Sequence, residues 1–207
     1  MNHLKQYSNS QNLVNGDYNS HTNIKNLLES FDFGLGTCES LDGEFLVKDR
    51  IAIHLKPDGT GDVISQEMGV SYCVMTNFTP DWSKRTDCNL SLVEFYQIIE
   101  NQYQNTSLPI IIMFEGEISS IKLRSMTKQS LPYKPLSLIM PTLTLNDHNT
   151  THGSIIGFYF PEASSKLNCP GYHLHYISRD NSIAGHIMDC VFGPGEIKTA
   201  MCTGHTA

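Results

Sequence analysis

The chain has 207 residues, of which 40% are hydrophobic and 17% charged, so it is long enough to bury a substantial core and is not disordered as a whole. Its net charge is -7 and its 14 Lys and Arg residues are scattered, which argues against DNA or RNA as a partner. Because we find no apolar run as long as a membrane span and no secretory leader, we expect a cytoplasmic protein without membrane contact.

The first part of the chain predicts a loose arm and then a short helix. Residues 1–20 are rich in Asn and Ser and poor in apolar anchors, which is typical of a flexible N-terminal arm. Thr22 predicts the cap of a helix that continues to Ser30. We expect Gly34 and Gly36 to end this helix in a tight turn.

Paired strands and one clear helix are predicted next. Residues 44–47 and 50–55 alternate like paired strands, and residues 56–61 form a run of turn-forming types. Residues 91–103 begin with a capping-box pattern and repeat apolar side chains at helical spacing. We expect the apolar face of this helix to cover a sheet.

The rest of the chain predicts mainly strands. Residues 109–114 and 118–124 have the pattern of a hairpin that turns at Glu115 and Gly116. Four further strands are predicted at residues 136–145, 153–160, 172–178 and 184–192.

Together these elements predict an α/β (α+β) fold. We expect a mixed or antiparallel sheet with helices in the N-terminal half and a mostly β, barrel-like C-terminal half that carries a metal site. The expected division is the arm, an α/β part over residues 21–135 and a β-rich part over residues 136–207, all in one compact unit.

Several common functional motifs are missing from the sequence. The six cysteines lie far apart without a Cys-x-x-Cys pair, so we expect free thiols. The sequence contains no Walker loop, no complete dinucleotide-binding fingerprint and no G-x-S-x-G elbow. Nucleotide binding and serine-hydrolase chemistry are therefore not expected.

Three histidines form the strongest functional pattern. His173 and His175 are two residues apart on a predicted strand, so their side chains share a face. If the next turn is centred on residues 180–181, His186 lies directly opposite His175. Cβ atoms of such partners are ~5 Å apart, which lets three imidazoles bind one divalent ion at ~2.1 Å and leave a position open for substrate. Zinc is favoured, with iron, manganese and nickel open.

Several blocks of the sequence resemble the acetolactate decarboxylase family. They are DFGLGT at 32–37, LDGE at 41–44, GSIIGF at 153–158, PGYHLHYIS at 170–178 and GH at 185–186. The similarity extends from about residue 27 to residue 189.

The resemblance implies a zinc enzyme that converts 2-acetolactate into acetoin and carbon dioxide, commonly as a homodimer. His173, His175 and His186 match the family's metal ligands, Glu44 matches an active-site acid and Arg124 matches an active-site arginine. Without the resemblance, Glu44 and Arg124 would be ordinary charged residues near strand ends.

The resemblance also implies a further active-site glutamate from a C-terminal segment. Residues 192–207 do not match that segment, and Glu196 follows the predicted hairpin too closely for the role. We therefore expect a bound metal with reduced turnover. Two alternatives stay open: an inactive family member that acts as a binding protein, and a cupin-type metal oxygenase, since cupins also place His-x-His on strands.

Overall fold

The computed structural model of the protein describes residues 2–104 and 106–207. The strands in these ranges are β1 (His3–Tyr7), β2 (Thr22–Asn23), β3 (Phe33–Cys38), β4 (Glu44–Lys48), β5 (Ile51–Leu55), β6 (Gly61–Val63), β7 (Gly69–Thr76), β8 (Trp82–Thr86), β9 (Leu90–Ser91), β10 (Ile110–Ser125), β11 (Thr144–Phe160), β12 (Gly171–Ser178), β13 (Ala184–Met201) and β14 (Gly204–Thr206). The α-helices are α1 (Ser10–Val14), α2 (Ile24–Ser30), α3 (Leu92–Gln102) and α4 (Leu136–Ile139).

The strands form two sheets. The first has the order β14-β1-β7-β3-β4-β5-β6, with β2 paired to β7. The second has the order β10-β11-β12-β13-β8, with β9 paired to β13 and an additional pairing of β10 with β13. This mixed α/β architecture confirms the predicted fold class, whereas the barrel-like form of the second half stays a prediction.

The predicted domain boundary between residues 135 and 136 lies within the second sheet, between β10 and β11. As a domain division it stays a prediction. All six cysteines lie in the described part of the chain and are free, as expected. None of the helices in the described ranges combines the length and apolarity needed to cross a membrane.

Residues 2–20 differ from the expected loose arm. Strand β1 pairs with β7 on one side and with β14 on the other. Leu4 and Tyr18 are fully buried, and the Asn9 side chain caps α1 by accepting a hydrogen bond from the amide of Asn12. Local composition did not reveal this order, because the partners of β1 come from distant parts of the chain.

Two helices agree with the sequence prediction except at one cap. Helix α2 is capped by Asn23, not by Thr22, which lies in β2. Helix α3 has Ser91 as its N-cap, and Glu94 completes the predicted capping box. Phe95 on the inner face of α3 is fully buried in a core shared with the second sheet, as expected.

The predicted turn at Gly34 and Gly36 is wrong, because both glycines lie inside the buried strand β3. A Cβ on Gly36 would lie 2.3 Å from the carbonyl oxygen of Tyr72 and 2.7 Å from the ring of Phe45. These glycines therefore allow close packing between strands. Gly43 does occupy a turn, with a φ of 78°.

The predicted hairpin over residues 109–124 is also wrong. Strand β10 continues through Glu115 and Gly116 and pairs with both β11 and β13. Gly116 lies opposite Gly195 of β13, and a Cβ on Gly116 would come within 2.5 Å of the carbonyl oxygen of Pro194. Gly116 therefore permits a close approach of strands and does not reverse the chain.

Residues 136–145 differ from the predicted strand. They form α4, a short 3-10 turn at Met140–Thr142 and only the beginning of β11. His148 and His152 lie in β11, which pairs with β10 along most of its length.

The two sheets pack face to face around a shared core. Leu46 and Val74 from the first sheet and Ile111, Ile156 and Phe158 from the second belong to this core. A second core lies between the second sheet and α3. The layer between the sheets contains the candidate functional site.

Candidate metal centre

Strand β12 directs His173 and His175 into the layer between the sheets. Ile177 on the same strand belongs to the core between the sheets, whereas Leu174 and Tyr176 belong to the core under α3. Because residues two apart in a strand share a face, the two histidines lie on the side of Ile177.

His186 and Arg124 extend the row that His175 begins. His175 pairs directly with His186 of β13, and His186 pairs directly with Arg124 of β10. Directly paired residues in antiparallel strands have neighbouring side chains on one face. The predicted register between His175 and His186 is confirmed.

The turn between β12 and β13 maintains this register. The Asp180 carboxylate accepts hydrogen bonds from the Ser178 hydroxyl at 2.7 Å, the Ser182 hydroxyl at 2.8 Å and the Ser182 amide at 3.1 Å. Asn181 adopts a φ of 60°, which asparagine tolerates better than most residues. Local polar contacts therefore close the hairpin that aligns the histidines.

Glu44 reaches the same row from the first sheet. It shares a face of β4 with Leu46, and its side chain is only 4% exposed. Its Oε1 lies 3.4 Å from His175 Nε2, 3.6 Å from His186 Nδ1 and 3.5 Å from Arg124 Nη2. The structure therefore brings together all five residues that the sequence analysis selected.

Four of these residues have the geometry of a possible metal site. The donor atoms of Glu44, His173, His175 and His186 all lie within 4.8 Å of one another. The Nε2 atoms of His173 and His175 are 3.2 Å apart. Two ligands ~2.1 Å from one tetrahedral ion would be about 3.4 Å apart, so the observed spacing suits a shared ion.

The hydrogen bonding of the histidines also fits a metal. His175 Nδ1 lies 3.0 Å from the carbonyl oxygen of Phe45, which can only accept, so Nδ1 carries the proton and the Nε2 lone pair faces the cluster. His186 Nδ1 is buried and lacks a hydrogen-bond partner among the described residues. An unsatisfied buried nitrogen is costly, and a metal ion would satisfy it.

Electrostatics favour the protonation states that a metal requires. Burial, followed by the nearby His175 and His186, holds the pKa of His173 well below its ordinary value. Burial also lowers the pKa of His186 to about 4, although Glu44 opposes the shift. Burial alone would raise the pKa of Glu44, but its contacts with His175 first, and then with His186 and Arg124, hold it well below its ordinary value. At neutral pH the carboxylate is therefore ionised, and His173 and His186 are neutral, which is the state in which imidazole can bind a metal.

A cavity of about 280 Å³ opens beside the cluster. This is at the small end of ligand pockets, which are typically ~300–1,000 Å³. Its lining includes Glu44, Arg124, His173 and His186. A larger depression of about 610 Å³ is lined by none of these residues, so the chemistry of the donors and not the volume identifies the site.

Arg124 lines this cavity with a guanidinium group whose hydrogen-bond donors are only partly used. Its side chain is 10% exposed, and its Nε is buried without a hydrogen-bond partner in the described part of the chain. Its Nη1 contacts the sulfur of Met140 at 3.3 Å, which is a weak acceptor. The guanidinium therefore retains donors for an anionic ligand.

Among the polar residues that line the cavity, sequence reasoning missed Tyr72 and Asn168, which bond to each other. The Tyr72 ring lies nearly parallel to the His173 ring, at 14° and 6.5 Å between centroids, and its hydroxyl donates to Asn168 Oδ1. Asn168 Nδ2 donates to Gln6 Oε1 at 2.6 Å. No local pattern marks these residues, because they come from distant segments that meet only in the fold.

The fold and the cluster define an α/β protein with a buried three-histidine, one-carboxylate candidate metal centre that opens to a small cavity. The sequence matches the profile described as Alpha-acetolactate decarboxylase over residues 4–206. The chain therefore belongs to the alpha-acetolactate decarboxylase family, and the resemblance and the prediction of an enzyme of this family are confirmed. The cupin-type alternative finds no support in this match.

Individual relatives agree with the family assignment. The alpha-acetolactate decarboxylase of Klebsiella aerogenes is 29% identical over 177 residues, which are 86% of this chain and 68% of that protein. The one from Methanosarcina mazei is 29% identical over 193 residues, or 93% and 67% of the two chains. The crystal structure of alpha-acetolactate decarboxylase from Bacillus subtilis strain 168 has a TM-score of 0.95 at 25% identity, covering 99% of this chain and 87% of that one.

Proposed function

We propose that this protein is a metal-dependent decarboxylase that converts 2-acetolactate into acetoin and carbon dioxide. The buried cluster of His173, His175, His186 and Glu44 beside Arg124 is the observation that carries the proposal. The names of the relatives support the same substrate and reaction. Zn²⁺ is the proposed ion, because it favours imidazole nitrogen and carboxylate oxygen in tetrahedral sites.

The three histidines are the proposed metal ligands, with His175 between His173 on its own strand and His186 on the neighbouring strand. The chemistry that a bound divalent ion supplies is polarisation of the substrate's ketone oxygen, which must take up the electron pair left by departing carbon dioxide. The hydrogen bond from His175 to the Phe45 carbonyl orients the ring for this task.

Arg124 is proposed to orient the anionic substrate. A guanidinium offers several donors in a fixed plane, and here Arg124 lines the cavity without a full set of hydrogen-bond partners. Holding the substrate in one pose matters because the bond to the carboxylate must align with the ketone before it breaks. Strong binding of the carboxylate alone would stabilise the substrate more than the transition state, because the carboxylate charge disappears during the reaction.

Glu44 is proposed to handle the proton. Loss of carbon dioxide leaves a carbon that must be protonated on one face to give chiral acetoin. The Glu44 carboxylate is ionised, almost fully buried and in contact with the row, so it can accept the proton of the substrate hydroxyl and deliver it to the carbon. The oxygen that lost its proton then takes one from solvent, which is the one proton that the overall reaction consumes. Its burial limits competition from solvent for that proton.

A homodimer is part of the proposal. Leu131, Leu138 and Leu145 are 74%, 62% and 55% exposed in the segment around α4, and apolar surface of this kind is commonly covered by a subunit contact. Sedimentation equilibrium of the purified protein tests the association, and a monomer at micromolar concentration would contradict it.

The decisive experiment is to incubate the purified, metal-analysed protein with racemic 2-acetolactate. We expect acetoin and carbon dioxide in equal amounts, loss of activity on chelation and recovery with Zn²⁺. The Glu44→Gln variant should retain metal but lose turnover, whereas the exposed control Met188→Ala should behave like the parent protein. Stoichiometric metal without turnover above the uncatalysed rate would contradict the proposed reaction and favour an inactive binding protein.

A further inference from the structure

The cavity lining combines polar and apolar side chains, and α1 contributes to the apolar ones. Besides the charged and histidine side chains, the lining includes Leu13, Val14, Met126, Leu136 and Phe160. The proposed substrate has the same division, since its carboxylate, hydroxyl and ketone are polar and its two alkyl groups are not. When the polar atoms meet the cluster, the alkyl groups are left to contact these apolar side chains, which we call the apolar wall.

Val14 differs from Leu13 on the same helix because it lines the cavity without packing into a hydrophobic core. No residue of α1 is buried, and Leu13 and Val14 are half-buried. Leu13 also packs against two hydrophobic cores, whereas Val14 belongs to none of the four cores among the described residues. The contact of Val14 with the cavity is therefore separable from folding.

The wall that α1 forms is fixed in position. At its start, the amide of Ser10 donates to the carbonyl oxygen of Leu167 at 3.0 Å. Beyond its end, a Cβ on Gly16 would lie 3.1 Å from the carbonyl oxygen of Lys134, and the Tyr18 hydroxyl donates to the same carbonyl at 2.9 Å. A wall tethered at both ends does not retreat easily from a larger ligand.

We propose that Val14, supported by Leu13, is a specificity-determining residue that limits the size of the alkyl groups on a 2-hydroxy-3-oxo acid substrate. This inference rests on the proposed function. In a fixed apolar wall, one methylene of mismatch changes relative kcat/KM by ~10-fold or more. Val14 therefore favours the methyl-substituted acid over its ethyl homologue.

The test compares two substrates in three variants. The ratio of kcat/KM for the ethyl homologue to that for 2-acetolactate should rise by roughly 10-fold in Val14→Ala and fall by a similar factor in Val14→Phe. Val93→Ala is the matched control, because Val93 is 63% exposed on α3 and does not line the cavity. Thermal unfolding should be close to that of the parent in all three variants.

A second measurement does not need turnover. Calorimetric binding of the non-reactive alcohols 2,3-dihydroxy-2-methylbutanoate and its 2-ethyl homologue should show the same shift of preference toward the ethyl homologue in Val14→Ala. An active parent protein with unchanged substrate and binding ratios in the Val14 variants would overturn the inference while the proposed function stands. An inactive parent protein would contradict the proposed function, and the binding ratios would then decide the role of Val14 alone.

Discussion

Arg124 of β10 lies directly opposite His186 of β13, and His186 lies directly opposite His175 of β12. The three side chains form one row on the inner face of the second sheet. Glu44 approaches this row from the first sheet, with its Oε1 3.5 Å from Arg124 Nη2 and 3.4 Å from His175 Nε2. The site therefore depends on strand register within one sheet and on the packing of two sheets.

Replacing the central ligand should abolish metal binding. His175→Ala removes the nitrogen that lies 3.2 Å from His173 Nε2, so only a weak, open site is left. We expect the zinc affinity to fall by more than the ~10–100-fold typical of losing an outer-shell partner. Metal analysis after dialysis against a chelator measures this, with His148→Ala as a control outside the cluster. Stoichiometric zinc in His175→Ala would rule out the proposed ligand set.

Arg124→Lys should retain metal yet lose most turnover. Lysine keeps the positive charge but lacks the planar fork that can hold a carboxylate or hydroxy-ketone in one orientation. Since misplacement by about 1 Å can cost ~100-fold, we expect kcat/KM to fall by about that factor. Steady-state kinetics with metal analysis of the same sample checks it. Near-normal kinetics would place Arg124 outside the reacting centre.

Asp180 should contribute a pH-dependent part of the stability of the hairpin. The hydrogen bond from the Ser178 hydroxyl, followed by those from the Ser182 hydroxyl and amide, lowers the pKa of Asp180 to about 2. A lowered pKa means that the contribution is fully present above pH ~4 and is lost as the pH falls through 2. The difference in unfolding free energy between the parent protein and Asp180→Asn should therefore shrink between these pH values.

Urea unfolding followed by circular dichroism measures this difference, and Asp87→Asn, at an exposed position in another loop, is the control. A difference that is unchanged down to pH ~2 would show that the Asp180 carboxylate does not act through these hydrogen bonds.

Asn168→Ala should destabilise the protein, because two buried polar groups lose their hydrogen-bond partner. Asn168 is 1% exposed and joins the Tyr72 hydroxyl to the Gln6 amide oxygen. Losing buried partners costs about 1–3 kcal/mol. Urea unfolding should show this loss, whereas the exposed Asn101→Ala should show none. Equal stability would mean that water replaces the missing amide.

Several features were predictable because they depend on short-range geometry. The alternation of side chains along a strand placed His173 and His175 on one face, and the position of the turn placed His186 opposite His175. The capping box at Ser91 and Glu94 marked the start of α3, because its hydrogen bonds join residues only three positions apart.

Other predictions failed where long-range pairing outweighs local preference. Gly34 and Gly36 suggested a turn, but they lie in β3 because only glycine leaves room for the neighbouring strands. Glu115 and Gly116 suggested a hairpin, but β10 runs straight through them because it has partners on both sides. A short window of sequence contains no information on such partners.

The relative positions of the three histidines were predictable from the sequence alone, because strand periodicity and turn position follow from covalent geometry and nearby hydrogen bonds. The sequence identified Glu44 and Arg124 only through resemblance to a family. Tertiary structure decided that Glu44 from the first sheet meets Arg124 and the histidines of the second, and that Val14 of α1 lines the cavity beside them. These residues are far apart in the chain, so their meeting depends on the sum of contacts between the two sheets and on no local pattern.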